Sequence, residues 1–515
     1  MSFLRSLADD FSEFLSEQPV WSLIYFSAFY FGCTLSNSRM KPFWYDELFT
    51  YHMSRLPDWK TILAALSAGA DLNPPPIYFL TRLSHSIFGM SEVATRLPAT
   101  LGFLLMLICL YRFIANRTGR PIAFAAMFFP MVTGAYRWAT EARTYGVILG
   151  LVAAAAMFWQ RTVRTANPSR AACVGLGLCL TAAVTTQAYG IVSVGPFLLA
   201  ELVRFWQTRQ TRWPVWVALL VPFAALAVYI PLLSAHNDVA LDNPIFRPEL
   251  ASIGRFYHML LDPAMFPLAL VLVFALWSRL PNWTERPSER EGVPAEEIAL
   301  AAGFLLVPVM AVVIAMTVTR VFMDRYGLPA IIGTTMLLGF LMARVPSRTA
   351  PIFSVVVFAG WCASGVVTLP MAWSSTSSAS TEERNIAKLA EVRPDLPIVV
   401  SDGLWFLPLA YYSEPSLSRR LTYLFDRKIA LQYTGSDVFE FGYPVLKKWH
   451  NIAGRVEPYR EFLARGTPFL LYAPISPHPL HWVTKKLIDD GATFKILSMR
   501  PEAFLYEVTP SEIHR

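Results

Sequence analysis

The sequence predicts a mostly α-helical, polytopic membrane protein of about eleven transmembrane helices, with a long first external loop bearing interfacial helices and a small C-terminal extracytoplasmic α/β domain. Three observations carry this expectation. Of the 515 residues, 54% are hydrophobic and only 16% charged, where soluble chains carry about 25% charged residues. The apolar residues are gathered into blocks of roughly 17–21, the length a helix needs to cross about 30 Å of hydrocarbon. The arginines behind the net charge of +7 sit mainly in short loops between those blocks. That is the orientation signal of membrane proteins rather than a nucleic-acid surface, so no nucleic-acid partner is expected.

The blocks fall near residues 19–37, 97–115, 121–137, 145–160, 171–187, 189–204, 214–233, 264–279, 298–317, 327–343 and 350–370. The first follows a charged start containing Arg5 and several acids, and no small-residue cleavage site follows it, so it reads as an uncleaved span. With the N-terminus cytoplasmic, alternation puts Arg112, Arg117 and Arg120, then Arg161, Arg164 and Arg170, then Arg204, Arg209 and Arg212 on one side. Arg279, Arg286, Arg290, Arg344 and Arg348 join them there. Counting 77–88, "IYFLTRLSHSIF", as a span would reverse every later loop. It is too short to cross and carries Arg82 and His85, while Phe79, Leu80, Leu83 and Ile87 repeat at helical spacing. An amphipathic interfacial helix is expected there, and a second at Trp59–Ser67 with Trp59, Ile62, Leu63 and Leu66 on its apolar side. The stretch 38–96 is then one long external loop. All five cysteines, Cys33, Cys109, Cys173, Cys179 and Cys362, lie inside apolar blocks without metal or disulfide spacing and read as small hydrophobes.

A Ser/Thr run at 373–381 divides a transmembrane catalytic domain, 1–372, from an extracytoplasmic domain, 373–515. In the second, Ile386, Leu389 and Ala390 mark a helix, 396–402 a buried strand, and "GLWFLPLAYYS" a helix. "LTYLF" and "PFLLYAP" read as strands, Trp482–Ile488 as a helix, and "FKILSM" and "AFLYEV" as closing strands. No glycine-rich phosphate fingerprint follows any of them, and no catalysis is assigned to this domain.

Polar chemistry concentrates in three external clusters. In "FWYDELFTYHM", Asp46 or Glu47 could take a proton from an acceptor hydroxyl. Equally, Asp46 could cap a helix while Glu47 faces water. In "RWATEARTYG" (137–146), Glu141 and Tyr145 share a helix face, with Arg143 nearby and Arg137 and Trp138 marking the interface. In "TRVFMDRYGLP" (319–329), Arg320 and Arg325 lie on the face where arginine is unexpected, and suit a lipid phosphate. An ion pair from Asp324 to Arg320 or Arg325 is the structural alternative. What favours function is that three sequence-distant clusters land on one side of an independently derived topology. Carboxylates to activate a hydroxyl and arginines to hold a phosphate suit group transfer from a membrane lipid. A transporter would instead place ionisable groups near the bilayer midplane.

"WYDELFTY", then "NPPPIYFLTRLSHSIFGMSEVATRLPATL", a basic loop and "TEARTYG" together resemble the GT-C membrane glycosyltransferases. Within them the chain is most similar to the protein O-mannosyltransferase-like branch that includes the lipid A aminoarabinose transferases. "RYGLPAI" (325–331) resembles that branch's Arg-Tyr-x-x-Pro element. The similarity is dense over 40–160, thinner to about 345, and architectural beyond. The resemblance implies a GT-C fold and inverting transfer from a polyprenyl-phosphate sugar to a hydroxyl acceptor, which is a glycan, lipid or protein. It implies a bacterial-type inner membrane with the C-terminal domain outside. Asp46, paired with Glu47, is implied as general base, and Arg325, then Arg143, as the cations on the leaving phosphate. Glu141, Tyr145, Tyr326, Asn73 and His85 are implied to hold sugar or acceptor. Asn73 stands where relatives often carry Lys or His and supplies no charge; Arg82 or His85 would compensate. No cofactor is assigned. Some relatives use a divalent metal, for which Asp46, Glu47 and Glu141 could offer oxygens, but no His/Cys zinc pattern is present and metal-independent transfer is expected. The alternative is a multi-span transporter, or a flippase or binder of lipid-linked sugars.

Overall fold

The computed structural model describes residues 2–71, 73–164, 168–234, 246–265, 268–269, 292–343, 360, 393–450, 452–475, 480–499 and 503–511. The chain forms two compact units: Met1–Met40 with Asn73–Ile230 and Pro248–Ala372, and Lys41–Leu72 with Pro231–Arg247 and Trp373–Arg515.

Numbered in chain order, the first unit holds α1 (Ser2–Glu17), α2 (Pro19–Met40), α5 (Pro76–Phe88), α6 (Glu92–Thr118), α7 (Arg120–Met127), α8 (Tyr145–Val163) and α9 (Arg170–Thr186). It continues with α10 (Val194–Thr208), α11 (Trp213–Ser234), α12 (Ala251–Leu261), α13 (Ala295–Leu305), α14 (Val307–Ile314) and α15 (Ala330–Met342). The helices α3 and α4 belong to the second unit. Among the described residues three helical runs are long and apolar enough to cross a membrane: Glu92–Thr118, Tyr145–Val163 and Ala188–Thr208. The pair α13–α14, bent by 50°, makes a fourth if taken as one span. Arg120–Val132, Arg170–Thr186, Trp213–Ala227 and Ala330–Met342 are apolar but shorter. The blocks at 264–279 and 350–370, the Ser/Thr run, the helix around Ile386 and Arg279, Arg286, Arg290, Arg344 and Arg348 lie wholly or mostly outside the described residues.

Two expected spans are broken, each near a proline. The block 121–137 ends as α-helix at Met127 and continues as 3-10 turns Phe129–Val132 and Gly134–Thr140. Pro130 has no N–H to continue the helical ladder. The block 298–317 breaks at Leu306, before Pro308, and ends in a π-turn, Ala315–Thr319, closed by Arg320 in the left-handed region (φ 55°). By contrast Pro98 is tolerated within α6. The carbonyl it leaves unpaired, that of Ala94, accepts from the Ser84 hydroxyl of α5 at 2.6 Å. The start of the chain, read as a charged lead-in, is the amphipathic helix α1. It packs Phe11 edge-on against Phe124 at 6.3 Å, buries Leu15, and leaves Asp9, Asp10, Glu13 and Glu17 exposed.

Small residues let α6 and α8 meet backbone to backbone. A Cβ on Gly102 would lie 2.5 Å from the Gly146 carbonyl oxygen; one on Gly146, 2.3 Å from that of Ala99; one on Gly150, 2.3 Å from that of Gly102. Farther along, two of the arginines read as orientation signals also pair with buried carboxylates. Arg117 grips Glu297 through both Nε (3.0 Å) and Nη2 (2.7 Å), while the Gln160 amide donates to the same carboxylate at 3.3 Å, joining α6, α8 and α13. Arg212 pairs with Glu201, which also accepts from Trp159 Nε1 at 2.8 Å. The helix α5 turns its apolar face outward. Phe79, Leu80, Leu83, Ile87 and Phe88 are exposed, whereas Thr81, Ser84 and His85 are buried.

The second unit is built on a six-stranded sheet in the order β3-β2-β1-β4-β6-β5. Its strands are β1 (Ile398–Val400), β2 (Leu421–Phe425), β3 (Arg455–Pro458), β4 (Phe469–Pro474), β5 (Thr493–Met499) and β6 (Ala503–Thr509). The first four run parallel and β4-β6-β5 antiparallel, with a register shift at Ile496/Ser498. Strand β4 is buried on both faces, whereas edge strand β5 is largely exposed and carries Lys495. Helix α16 (Gly403–Tyr412) follows β1, with Asp402 capping it by accepting from Leu404 N–H at 2.9 Å. The expected helix at the "HWVTKKLID" segment is Val483–Asp489, and Val438–Trp449 is an additional helix. The stretch 41–72 packs into this unit. Helix α3 (Tyr45–Ser54) sets Tyr45 edge-on to Phe439 (5.3 Å) and Tyr443 (5.8 Å), and the Tyr412 hydroxyl accepts from Phe43 N–H at 2.6 Å. Helix α4 (Trp59–Ser67) is capped by Asp58, whose Oδ1 accepts from Thr61 N–H at 2.8 Å. Its Ile62 and Leu66 are buried in protein, so of its expected interfacial face only Trp59 is strongly exposed.

Candidate active site

In the first unit, elements distant in sequence meet around one cleft. One wall is the first turn of α8, with Tyr145 and Ile148. Another is the 3-10 turn Asp324–Gly327, which brings Arg325 and Tyr326, followed by Leu328 and Pro329 at the start of α15. The third is a 3-10 turn, Ala188–Ser193, between α9 and α10, contributing Tyr189 and Ser193. Tyr326 stacks on Tyr189 with ring centroids 3.9 Å apart and planes 10° from parallel. The Tyr189 hydroxyl donates to the Val321 carbonyl at 2.6 Å and touches the Thr319 hydroxyl, holding the segment that leads to Arg325. The Arg325 guanidinium lies 5.5 Å from the centroid of the Tyr145 ring, which also meets Trp138 edge-on at 4.6 Å. Burial, aided by Tyr145, raises the Tyr326 phenol above its usual range even with Arg325 and Arg143 nearby, so it remains a neutral hydroxyl. The arrangement places a cation, neutral hydroxyls and ring faces against apolar walls, which suits an anionic head group bearing a sugar.

Of the residues singled out from sequence, the cleft unites Tyr145, Arg325 and Tyr326. Glu141 and Arg143, both nearly fully buried, lie in the bend just before α8; Glu141 accepts from Arg137 Nε at 3.3 Å. Asp324 makes no ion pair with Arg320 or Arg325; its carboxylate is exposed, and burial of its surroundings raises its pKa. Asn73 is buried, with its carbonyl 3.5 Å from the Tyr78 hydroxyl. His85 is buried and shares a 2.9 Å hydrogen bond with Thr95, while Arg82 is half-buried on α5. His258 is largely exposed, 3.8 Å from Asp262. Among the described residues no three His, Cys, Asp or Glu side chains gather as a metal site would require.

Residues 73–234 match the family model for dolichyl-phosphate-mannose-protein mannosyltransferases. No curated protein matches the sequence. The structure superposes on ArnT from Cupriavidus metallidurans in the apo state with a TM-score of 0.59 and 15% identity, over 96% of this chain and 98% of that one. The same enzyme bound to undecaprenyl phosphate gives 0.54 and 14%, over 95% and 98%. This chain has the fold of ArnT. The likeness in fold runs over nearly the whole length of both chains, including the C-terminal sheet domain.

The carboxylate pair lies in the second unit, in the first turn of α3. Asp46 is half-buried. Glu47 is fully buried and accepts from Trp44 N–H at 3.3 Å, the reciprocal bond of a capping box. The capping role that sequence reading offered to Asp46 therefore falls to Glu47, which does not face water. On the same helix His52 packs against His450 with ring centroids 5.4 Å apart. Burial, then the neighbouring His450 and Arg55, lowers His52 to about 3; burial and Arg55 lower His450 to about 4. Within the sheet domain Glu440 is buried, its Oε1 accepting from Tyr423 Oη (2.8 Å) and Trp482 Nε1 (2.7 Å). Burial outweighs those two bonds and raises Glu440 to about 7.

Sequence reading took the turn Ala188–Ser193 for the start of the block 189–204, whose α-helix begins only at Val194. It carries no charge, and only charged external loops had been singled out. The usable signal was a glutamine, a tyrosine and a glycine between two apolar blocks, just ahead of Pro196 in the first turn of the next helix.

Proposed function

We propose that this GT-C protein is an inverting glycosyltransferase that moves a sugar from a polyprenyl-phosphate donor to a hydroxyl acceptor at the external membrane face. The observation that carries the reading is the cleft joining Arg325, Tyr145 and Tyr326 on this fold. The family match over 73–234 supports it. In the proposed step, Asp46 takes the proton of the acceptor hydroxyl as that oxygen attacks the anomeric carbon. The bond from that carbon to the phosphate oxygen breaks with inversion, and both bonding electrons leave with the phosphate. Arg325 meets the charge that develops there, with Arg143 behind it. Glu141, Tyr145 and Tyr326 orient sugar or acceptor. The membrane arrangement belonging to this reading is about eleven spans in a bacterial-type inner membrane, N-terminus cytoplasmic and sheet domain outside. ArnT, of matching fold, has been solved with undecaprenyl phosphate bound, a ligand of this class.

The test is transfer in proteoliposomes from radiolabelled polyprenyl-phosphate sugars to crude membrane acceptors, with and without chelator. Asp46→Asn is expected to lower kcat by about 10²–10⁴ and Arg325→Ala by about 10²–10³, with donor binding retained by Asp46→Asn. Wild-type protein that binds donor but transfers nothing would move the assignment to a binder or flippase.

A further inference from the structure

Helix α3 is too short to hold itself. Its 10 residues make fewer than three turns, and a helix of that length is marginal in water without tertiary packing. All of them are among the described residues, and every one is buried except Asp46, which is half-buried. Glu47, Thr50, His52 and Ser54 go inside, although a buried polar side chain is unfavourable unless it is bonded. The carboxylate of Asp46 is thus the one group that the helix presents outward.

What holds α3 comes from the far end of the chain. Tyr45, Leu48 and Phe49 share one apolar cluster with Val400 of β1 and Tyr423 of β2. On the helix Val438–Trp449, Phe439, Tyr443 and the capping residue His450 recur at helical spacing and form one stripe. Tyr45 meets the first two rings and His52 the third, so the partners follow in the same order along both helices. The seat under Tyr45 is firm. A Cβ at Gly403 would lie 2.5 Å from the Phe439 ring, which is therefore pressed against the first turn of α16, and the Tyr443 hydroxyl donates to the Gly403 carbonyl. At the other end of α16, the Tyr412 hydroxyl accepts from Phe43 N–H, a bond between residues 369 apart in sequence. Bringing such distant segments together has an entropic cost that a loop without a task need not bear.

We infer that the C-terminal sheet domain is the positioning element for Asp46: Phe439 and Tyr443, through Tyr45, and Tyr412, through Phe43, fix where that carboxylate stands. This rests on the glycosyl-transfer reading, in which Asp46 is the general base, and deepens it by giving the sheet domain a part in the reaction. A base must stand within hydrogen-bond reach of the proton it takes. A misplacement of about 1 Å costs about a hundredfold in rate. Phe439, Tyr443 and Tyr412 are positioning residues and take no proton themselves.

The experiment uses the full chain as wild type, Phe439→Leu and Tyr412→Phe, each with and without Asp46→Asn. Transfer is followed with radiolabelled polyprenyl-phosphate sugars, and hydrogen exchange reads the α3 amides against those of β1 and β4. Protection of β1 and β4 close to that of wild type shows that each variant folds. In both variants α3 protection should fall about tenfold relative to the sheet. Their kcat should fall about tenfold to a hundredfold, with KM for the donor unchanged. Combined with Asp46→Asn, the same substitutions should lower kcat no further, because they act through that carboxylate. Exchange of α3 that simply follows the sheet would overturn the inference. So would losses of kcat as large with Asp46→Asn as without it, the outcome expected of core packing alone. Transfer that survives Asp46→Asn intact would remove Asp46 as base, and transfer from no donor would remove the glycosyl-transfer reading. In either of those cases the exchange data still decide whether the sheet domain holds α3.

Discussion

Replacing Glu440 by glutamine should change how stability of the sheet domain depends on pH. The unfolded carboxyl releases its proton near 4.5, whereas the folded one holds it to about 7. Between those values the native chain carries an extra proton, so raising pH through the window removes stability. A difference of about 2.5 units at about 1.36 kcal/mol per unit is about 3 kcal/mol. Glutamine keeps an Oε1 to accept from Tyr423 and Trp482 and cannot ionise. The buried histidines His52, His450 and His481, lowered to about 3, 4 and 4, act in the opposite sense. They cost stability as pH falls below about 6.5, where the unfolded imidazoles take up protons first. Only the difference between variant and wild type isolates Glu440. The assay is hydrogen exchange of the β1, β2 and β4 amides in the full chain in detergent, corrected for intrinsic rates, from pH 5 to pH 8.5. Relative to its offset at pH 5, Glu440→Gln should gain about two orders of magnitude in protection by pH 8.5. A variant-to-wild-type ratio that stays constant across that range would refute the reasoning.

Other outcomes follow from packing. Glu297→Ala removes the fully buried carboxylate to which Arg117 and Gln160 donate and should cost about 3–5 kcal/mol, seen as a fall in melting temperature; Arg117→Met with Glu297→Leu together should recover most of it. Gly150→Leu drives a side chain into the Gly102 carbonyl and should reduce folded yield sharply, with Gly32→Leu, which meets open space, as the tolerated control. Ser84→Ala leaves the Ala94 carbonyl without its partner and should lower stability by about 1–3 kcal/mol by thermal melting.

How much of this was legible follows from what each signal depends on. Helices α2, α6, α8, α9, α11 and α15 were read from apolar blocks because length and hydropathy are local properties. The strands β1, β2, β4, β5 and β6 were read for the same reason. The breaks near Pro130 and Pro308 were missed, because proline is accommodated within α6 at Pro98, and the difference is a hydroxyl from α5 that only folding supplies. Arg325, Tyr326 and Tyr145 stood out because charge beside an apolar span is rare. Gln187, Tyr189 and Ser193 did not, because neutral polar residues near a helix end are ordinary until their surroundings are known. Strand β3, half exposed and carrying a proline, has no hydrophobic run to announce it.

The contact of Gly102, Gly146 and Gly150 has a consequence for how such a site can diversify. Tyr145 is the residue just before Gly146, so its position is tied to a meeting of two main chains that no side-chain exchange can relax. One boundary of the cleft is therefore a fixed datum. Any lineage adapting to another sugar would have to move the opposite boundary, the uncharged turn around Tyr189, and differences in preference among proteins of this architecture should be written there.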